Sequence, residues 1–313
     1  VAVRKEGAAT EKVLILSDGK PGHVNQSLAY ARLLGKPYEV RRVSFRGRWG
    51  KALSYPLDRL GFLTDKLFFV EDELPFCSQV VSAGSSTYYA NRVIGTKLGI
   101  PSVAIMLPRS YRRNFALIIA QEHDRPPAAA NILSLPVNLS CPQPQGLVQR
   151  TGRNPCVALV IGGPSRHFRM NEERLKVQIE QVFRLFPEGD FLVTTSPRTP
   201  PEIDKLIETL AFRYRVIYSR EPVNPIADFL AIGDYVFVTQ DSTSMISEAV
   251  TFGRACVEVL PLESTGEKNK VGRMLSPLAD QGCLHVFDGT LGGKNHKIAL
   301  KGVLEQALRR LGY

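Results

Sequence analysis

Short apolar runs recur along the chain, each followed by a polar, glycine-bearing loop and then by a longer amphipathic stretch. The first run, Val13-Leu14-Ile15-Leu16, has the continuous apolar character of a strand buried on both faces of a parallel sheet. A polar loop from Ser17 to His23 follows, and then a helix to about Leu34, stopped at Gly35. The same pattern predicts a strand over 38–43, a helix over 51–63, and a strand over 79–82 that feeds another helix through Ala83-Gly84-Ser85-Ser86. Further strands are expected at 103–106, 117–119 and 132–133.

The texture changes between 136 and 155, where Pro136, Pro142, Pro144 and Pro155 interrupt any periodicity, as in a linker. The rhythm then restarts. Val157-Ala158-Leu159-Val160-Ile161 is the strongest strand signal in the chain, closed by Gly162-Gly163-Pro164-Ser165. Helices are expected over 172–186, 201–211 and 244–252, with strands over 191–193, 215–218, 235–238 and 256–260. Asn224-Pro225 reads as the N-cap and first turn of a further helix. Strand–helix alternation in both halves predicts two α/β domains with mainly parallel sheets, divided near residues 145 and 146. Ligands of such folds sit beyond the carboxyl ends of the strands, and the cleft between two such domains is the default site.

Composition narrows the class. With 313 residues, 44% of them hydrophobic and 22% charged, the chain has the material for real cores and not the composition of a disordered protein. No apolar run reaches the roughly 20 residues of a membrane span, and residues 1–11 lack the apolar core of a secretory signal. The five cysteines are scattered, with no CxxC pair, which argues against a disulfide framework or a zinc ribbon and fits a reducing compartment. Forty basic against thirty acidic residues give a net charge of +10, suited to a phosphate-bearing ligand, an anionic membrane or a nucleic acid.

Candidate chemistry lies in the loops that follow strands. Asp18-Gly19-Lys20-Pro21-Gly22-His23-Val24-Asn25-Gln26 pairs glycines, which admit close backbone approach, with a helix start that favours negative charge. His23 is a candidate general base, and Asn25 and Gln26 can bond hydroxyls; a tight turn with a surface histidine is the plain alternative. Neither the Walker nor the dinucleotide fingerprint is present. In the second half, Gly163, Ser165 and Arg166 in one loop and Ser196 and Arg198 in the next offer N–H groups, hydroxyls and guanidinium forks for phosphate. Ordinary caps and turns would use the same residue types. A third loop, Thr239 to Ala249, places Ser242 and Ser244 at a helix start and Glu248 one turn beyond, where a carboxylate can accept two hydrogen bonds from a vicinal diol such as ribose. Serine caps and an early glutamate also suit any helix N-terminus.

Two basic clusters stand in the first half: Arg41, Arg42, Arg46, Arg48 and Lys51 around Phe45 and Trp49, and Arg109, Arg112 and Arg113 in the segment 107–113. Either can face anionic lipid or form a solvated surface. Glu122-His123-Asp124 reads as a polar strand-end loop, and His167, His285 and His296 show no ligand spacing. A nucleophile elbow and HExxH are both missing.

Three of these segments in order, residues 18–27, 196–200 and 239–249, resemble the motifs of the plant and bacterial family named for the Elm mitochondrial fission factor, over about residues 12–310. That family in turn looks like the GT-B glycosyltransferases, which implies two Rossmann-like domains facing a cleft. A useful analogue is the bacterial transferase that adds N-acetylglucosamine to a lipid-linked peptidoglycan precursor: its glycine-rich first loop ends like Gly22-His23, and its Ser/Thr-rich loop leads to Glu-Ala, as Ser244 to Ala249 does here. The resemblance implies residues 1–145 as the acceptor side, carrying His23, Asp18, Gly19, Gly22, Asn25 and Gln26. It implies residues 146–313 as the nucleotide-sugar donor side, with a last helix able to pack back on the first domain. Glu248 would bind the donor ribose, Gly163, Ser165, Arg166, Ser196 and Arg198 the diphosphate, and Ser242 and Ser244 would line the same donor site. Enzymes of this fold commonly use no metal, and neither a metal nor another cofactor is expected. Asp18-Gly19-Lys20-Pro21 in place of a plain glycine run, and Gln240-Asp241 in place of Gly-Gly, depart from the analogue.

The implied activity is sugar transfer from a nucleotide diphosphate sugar to an unidentified acceptor, with a lipid-linked or membrane-borne acceptor in view. A non-catalytic membrane-surface adaptor is the rival from another class, and sugar-nucleotide epimerisation or hydrolysis the rival on the same fold. Nucleic acid is not expected as a partner, since no known module accompanies the basic residues. The expected location is cytoplasmic, with peripheral attachment at the inner membrane as a further option.

Overall fold

The computed structural model describes residues 12–47, 49–266 and 270–312. The chain forms two compact units, one comprising Val1–Cys141 with Leu300–Tyr313 and the other Pro142–Ala299. In the first, β1 (Val13–Ser17), α1 (Pro21–Leu33), β2 (Tyr38–Phe45), α2 (Gly50–Leu60), β3 (Phe68–Val70), β4 (Gln79–Ala83), α3 (Tyr88–Leu98), β5 (Ser102–Ile105), β6 (Leu117–Gln121) and β7 (Ile132–Leu135) follow one another. They build one sheet in the order β3-β2-β1-β4-β5-β6-β7. All neighbours are parallel except β3, which runs antiparallel to β2 with Val43 opposite Val70 and Phe45 opposite Phe68.

The second unit contains β8 (Cys156–Val160), β9 (Phe168–Arg169), α4 (Glu172–Leu185), β10 (Asp190–Thr194), α5 (Pro201–Thr209), β11 (Tyr214–Val216), α6 (Ile226–Ile232), β12 (Tyr235–Thr239) and α7 (Thr243–Thr251). It continues with β13 (Cys256–Leu260), β14 (Glu263–Ser264), α8 (Lys270–Asp280) and β15 (His285–Val286), and α9 (Leu300–Arg310) then belongs to the first unit. Its parallel sheet has the order β11-β10-β8-β12-β13-β15, beside a two-stranded antiparallel ribbon of β14 and β9.

Every residue of β1, β4, β6 and β8 is buried, which is why these strands read as continuous apolar runs: helices cover both faces of each sheet. Each fully buried Leu, Ile or Val in them contributes roughly 1.5–3 kcal/mol of transfer free energy. Asn171 caps α4 by accepting from the Arg174 N–H at 2.9 Å, and Glu172 and Glu173 complement the dipole.

Three differences from the sequence reading have local causes. Helix α1 begins at Pro21, whose fixed φ suits the first helical position, so Gly22 and His23 lie in the first turn and not in the loop. Asn224 accepts from the Ile226 N–H at 3.1 Å and Pro225 is itself the cap, so α6 starts one residue later. The segment expected as a linker is tied to the second unit from residue 142. Asp228 accepts from the N–H groups of Gln145 (3.1 Å) and Gly146 (2.6 Å), and Arg150 pairs with Asp234 at 2.7 Å. Among the described residues no helix is long and apolar enough to cross a membrane.

Candidate functional site

Each parallel sheet has one point at which consecutive connections leave in opposite directions, and the loops beyond the strand ends there form a ready crevice. In the first unit it lies between β1 and β4. The β1 loop places Asp18, its side chain almost buried, so that both carboxylate oxygens lie 3.1 Å from His23 Nδ1. A carboxylate can only accept, so the Nδ1 proton points at Asp18, and in the neutral ring the lone pair is on Nε2. Beside the ring runs the backbone of Gly84, just past β4, at φ +90°; a Cβ there would overlap the imidazole. Only glycine meets both conditions.

The rest of the loop divides by role. Gly19 donates to Ser17 Oγ at 3.0 Å and Lys20 N–H to Asp18 at 3.3 Å, which shapes the turn around the carboxylate. Gly22 has nothing within 4 Å of where a Cβ would stand. Asn25 is exposed one turn along α1, whereas Gln26 is buried, donating to the Gly22 carbonyl at 3.3 Å and accepting from Gln121 at 3.2 Å. Gln26 therefore braces α1 against the end of β6. From α2, Lys51 donates to Ser85 Oγ (3.0 Å) and Ser86 Oγ (3.3 Å) in the loop after β4. The sequence had grouped Lys51 with a basic surface. Of the same cluster, Arg41 pairs with Glu39 at 2.7 Å, Arg42 lies 3.9 Å from Glu71, and Arg46 donates to the Phe68 carbonyl at 3.0 Å. Arg48 lies outside the described residues. Glu122-His123-Asp124 forms a single 3-10 turn, with Asp124 paired to Arg109 at 2.9 Å.

In the second unit the switch falls at β8, flanked by β10 and β12, and the three expected loops converge there. Their centre is Asp241, whose side chain is fully buried. Its carboxylate accepts from Arg198 Nη2 at 2.6 Å, the Gly163 N–H at 3.2 Å and Thr239 Oγ1 at 2.7 Å. Thr239 Oγ1 in turn accepts from the Gly162 N–H at 2.7 Å. A Cβ on Gly162 would strike the Asp241 carboxylate and one on Gly163 the Arg198 backbone, so the glycine pair exists to let three loops close on one carboxylate.

That arrangement changes what the candidate residues offer. The Gly163 N–H is already engaged, and Arg198, 46% exposed at its side chain, bonds Asp241 through Nη2 and donates from Nη1 to the Pro164 carbonyl at 3.4 Å. Ser196 Oγ accepts from the Arg198 N–H at 3.2 Å and Ser165 Oγ from the His167 N–H at 3.2 Å, which sets the turns. Arg166 is exposed, its guanidinium 3.2 Å from His167 Nε2. Ser242 caps α7, accepting from the Met245 N–H at 3.4 Å, and Ser244 sits in the first turn. Glu248 is four residues further along the same face. Among the described residues no hydrogen-bond donor or cation meets its carboxyl, and burial pushes its pKa up to about 7. The opposite end of α7 is held by Lys297, which donates to the carbonyls of Ala249 (2.8 Å) and Ala255 (2.7 Å) and is pulled down to about 8 by burial.

In the sequence Asp241 shows only as a departure from Gly-Gly, with no role of its own. The signal was present in the Gly162-Gly163 pair, which implies a close neighbour without naming it. Nothing in the sequence, by contrast, marks Lys51 as bonded to Ser85 and Ser86, in the loop that passes His23 at Gly84.

Two α/β units with mainly parallel sheets and loops gathered at their switch points define the GT-B-like fold class. The chain belongs to the Mitochondrial fission ELM1 family, whose sequence profile matches residues 21–307. It is 28% identical to the mitochondrial fission protein ELM1 of Arabidopsis thaliana over 138 residues, 43% of this chain and 32% of that one. The chain spans well under half the length of the curated relatives it matches, 39% and 32%. Among solved structures, it resembles a putative UDP-N-acetylglucosamine 2-epimerase from Listeria monocytogenes at a TM-score of 0.53 and 12% identity, covering 97% of this chain and 89% of that one. The S. aureus MnaA–UDP co-structure matches at a TM-score of 0.50 and 12% identity, over 96% and 87% of the two chains. At such identities the likeness is one of fold.

Proposed function

We propose that the protein is a glycosyltransferase that moves a sugar from a nucleotide diphosphate sugar to a hydroxyl-bearing acceptor at an anionic membrane surface, on its cytoplasmic side. The observation that carries the reading is the Asp18–His23 pair at the switch point of the first unit, a base whose Nδ1 is held by a carboxylate and whose ring packs against the bare backbone of Gly84. A nucleotide in the second unit would donate its ribose hydroxyls to Glu248, the carboxylate of α7 that has no partner among the described residues. Its diphosphate would lie against the exposed part of the Arg198 guanidinium, with Arg166, Ser165, Ser196 and Ser244 at the same loop ends. The relative solved with UDP lends that placement support at the level of fold alone.

In the step proposed, the acceptor oxygen bonds to the anomeric carbon as the bond from that carbon to the diphosphate oxygen breaks. The electron pair leaves with the diphosphate, and the acceptor proton passes to His23 Nε2. Arg198 stabilises charge that develops on the leaving group, and the oriented base is worth on the order of 10²–10⁴ in rate. Asp18, Gly19, Gly22 and Asn25 shape the acceptor side.

One observation favours a second reading, a non-catalytic adaptor. The Asp241–Arg198 pair places an internal anion against the groups a diphosphate would use, which lowers the attraction for phosphate. Thermal-shift titration with nucleoside diphosphates and their sugars separates the two. A ligand at ~100 times its Kd adds about 2.7 kcal/mol, and the shift should vanish in Glu248→Ala. No shift at millimolar nucleotide would overturn the transferase reading in favour of the adaptor.

A further inference from the structure

Helix α2 packs Tyr55 and Leu57 against the core and carries a second apolar face on its outer side. Between Tyr55 and Leu57 lie the buried Ser54 and Asp58: the Ser54 hydroxyl bonds Tyr111 Oη at 2.8 Å, and Asp58 takes the Arg92 guanidinium and the Arg112 N–H. The second apolar face is turned out. Trp49 at the cap is 76% exposed, Leu53 50% and Leu60 71%, and Phe62 just beyond the helix is 62% exposed. At 100° per residue, Trp49, Ala52, Leu53, Pro56 and Leu60 fall within an arc of roughly 100°, and all five are exposed. With the inner face already packed and its polar groups satisfied, this ridge is not a core face left open by misregister.

The rim of the ridge is cationic. Arg59 lies on α2 itself and is exposed. At the C-terminal end, Arg112 Nη1 lies 3.0 Å from where a Cβ of Gly61 would be, with exposed Arg113 next in sequence. At the N-terminal end, exposed Arg46 is bonded through its N–H to the Leu67 carbonyl at 2.8 Å, the same carbonyl that packs on Gly50. The acidic residues nearby are accounted for. Asp58 is buried and compensated, Asp65 is paired with Lys97 at 3.0 Å, and Glu71–Glu73 lie past the far end of β3, opposite Arg42. A stable protein partner needs about 800 Å² of surface per side, whereas this is a single ridge about 16 Å long. An apolar ridge with a basic rim is the form taken by helices that lie in the headgroup region of an anionic bilayer.

We propose that α2 and Phe62 are a bilayer-docking surface, with Trp49, Leu53, Leu60 and Phe62 inserted among the acyl chains and Arg46, Arg59, Arg112 and Arg113 against anionic headgroups. This deepens the membrane part of the function proposed above. Its test contains neither nucleotide nor sugar, so failure of one reading leaves the other standing.

Trp49 is the only tryptophan in the chain, so intrinsic fluorescence reports on the ridge without a label. Vesicles of phosphatidylcholine with 30% phosphatidylglycerol should blue-shift its emission, and lipids brominated on the acyl chains should quench it. Plain phosphatidylcholine should do so more weakly. Leu53→Ser with Leu60→Ser should lower the partition coefficient roughly tenfold or more with an unchanged far-UV spectrum, and Arg59→Glu with Arg112→Glu should remove the preference for anionic lipid. Unchanged Trp49 emission at millimolar anionic lipid would overturn the proposal. So would normal binding by the leucine variant, or a vesicle-free blue shift accompanied by a dimeric mass in light scattering, which would assign the ridge to a second copy of the chain.

Discussion

Glu248 gives the candidate donor site a signature that can be read without any ligand. Its carboxyl is held by burial at about 7, against 4.5 for an ordinary glutamate, and among the described residues nothing offsets the cost of charging it. Between those two values the folded protein binds more protons than the unfolded chain, so stability falls as pH rises through the interval and levels off above it. A shift from 4.5 to about 7 corresponds to roughly 3 kcal/mol. Glu248→Gln keeps the shape and removes the titration. The variant should match the parent near pH 4 and exceed it progressively to about 3 kcal/mol at pH 8, an increase of roughly 6–12 °C in Tm for a unit of this size. Scanning calorimetry across that range measures it directly. Parallel profiles for the two proteins would refute the reasoning, because they would mean that the carboxyl is solvated or paired. The same gain should disappear when a diol-bearing ligand that hydrogen-bonds the carboxylate is added to the parent. An uncompensated carboxylate that lowers stability until a ligand arrives is the usual trade between stability and a binding site.

Other substitutions test the remaining geometry. His23→Ala should lower turnover of whichever donor binds by on the order of 10²–10⁴ while nucleotide affinity stays within about twofold; normal turnover would remove His23 from the reaction. Asp18→Asn should slow turnover in the same assay by releasing the tautomer, again without changing affinity. Gly84→Ala forces a side chain into φ +90° against the His23 ring, and should cost about 1 kcal/mol or more in urea unfolding together with most of the activity. Asp241→Asn should destabilise the second unit by about 1.5–3 kcal/mol, less than a fully buried broken pair because the freed Arg198 is half-exposed; a change within about 0.5 kcal/mol would show that the loops close without it.

The parallel strands were legible because burial on both faces leaves its mark as unbroken apolar runs, as at 13–16 and 157–161. Short elements were not: β3, β9, β14 and β15 have two or three residues each, too few for a period, and exist because a neighbouring strand offers them hydrogen bonds. In the sites, the loops themselves were legible from their place after strong strands, and single residues within them less so. Gln26 looks like a ligand-binding amide in sequence and is turned inward by Gln121, 95 residues away. Asp241 and Arg198, 43 residues apart, reveal their pairing only when the loops after β10 and β12 are brought together around Gly162. Ordinary helix caps and ligand-binding loops draw on the same hydroxyl residues, so Ser242, a cap in the structure, could not be separated from Ser244 by composition.

The return of α9 to the first unit has a consequence for biogenesis. Because residues 142–299 form a unit of their own while Leu300 and Leu304 are buried with the first, the second unit is an insertion within the first. A ribosome delivers the seven strands of the first sheet early, but the helix that lines the hollow beside Tyr30, Ser78 and Gln79 emerges only after the whole second unit. Vectorial synthesis therefore completes the inner unit before the outer one, and the nascent first unit must wait with that apolar seam uncovered. A nonsense change just before α9 would thus damage the unit that was translated first.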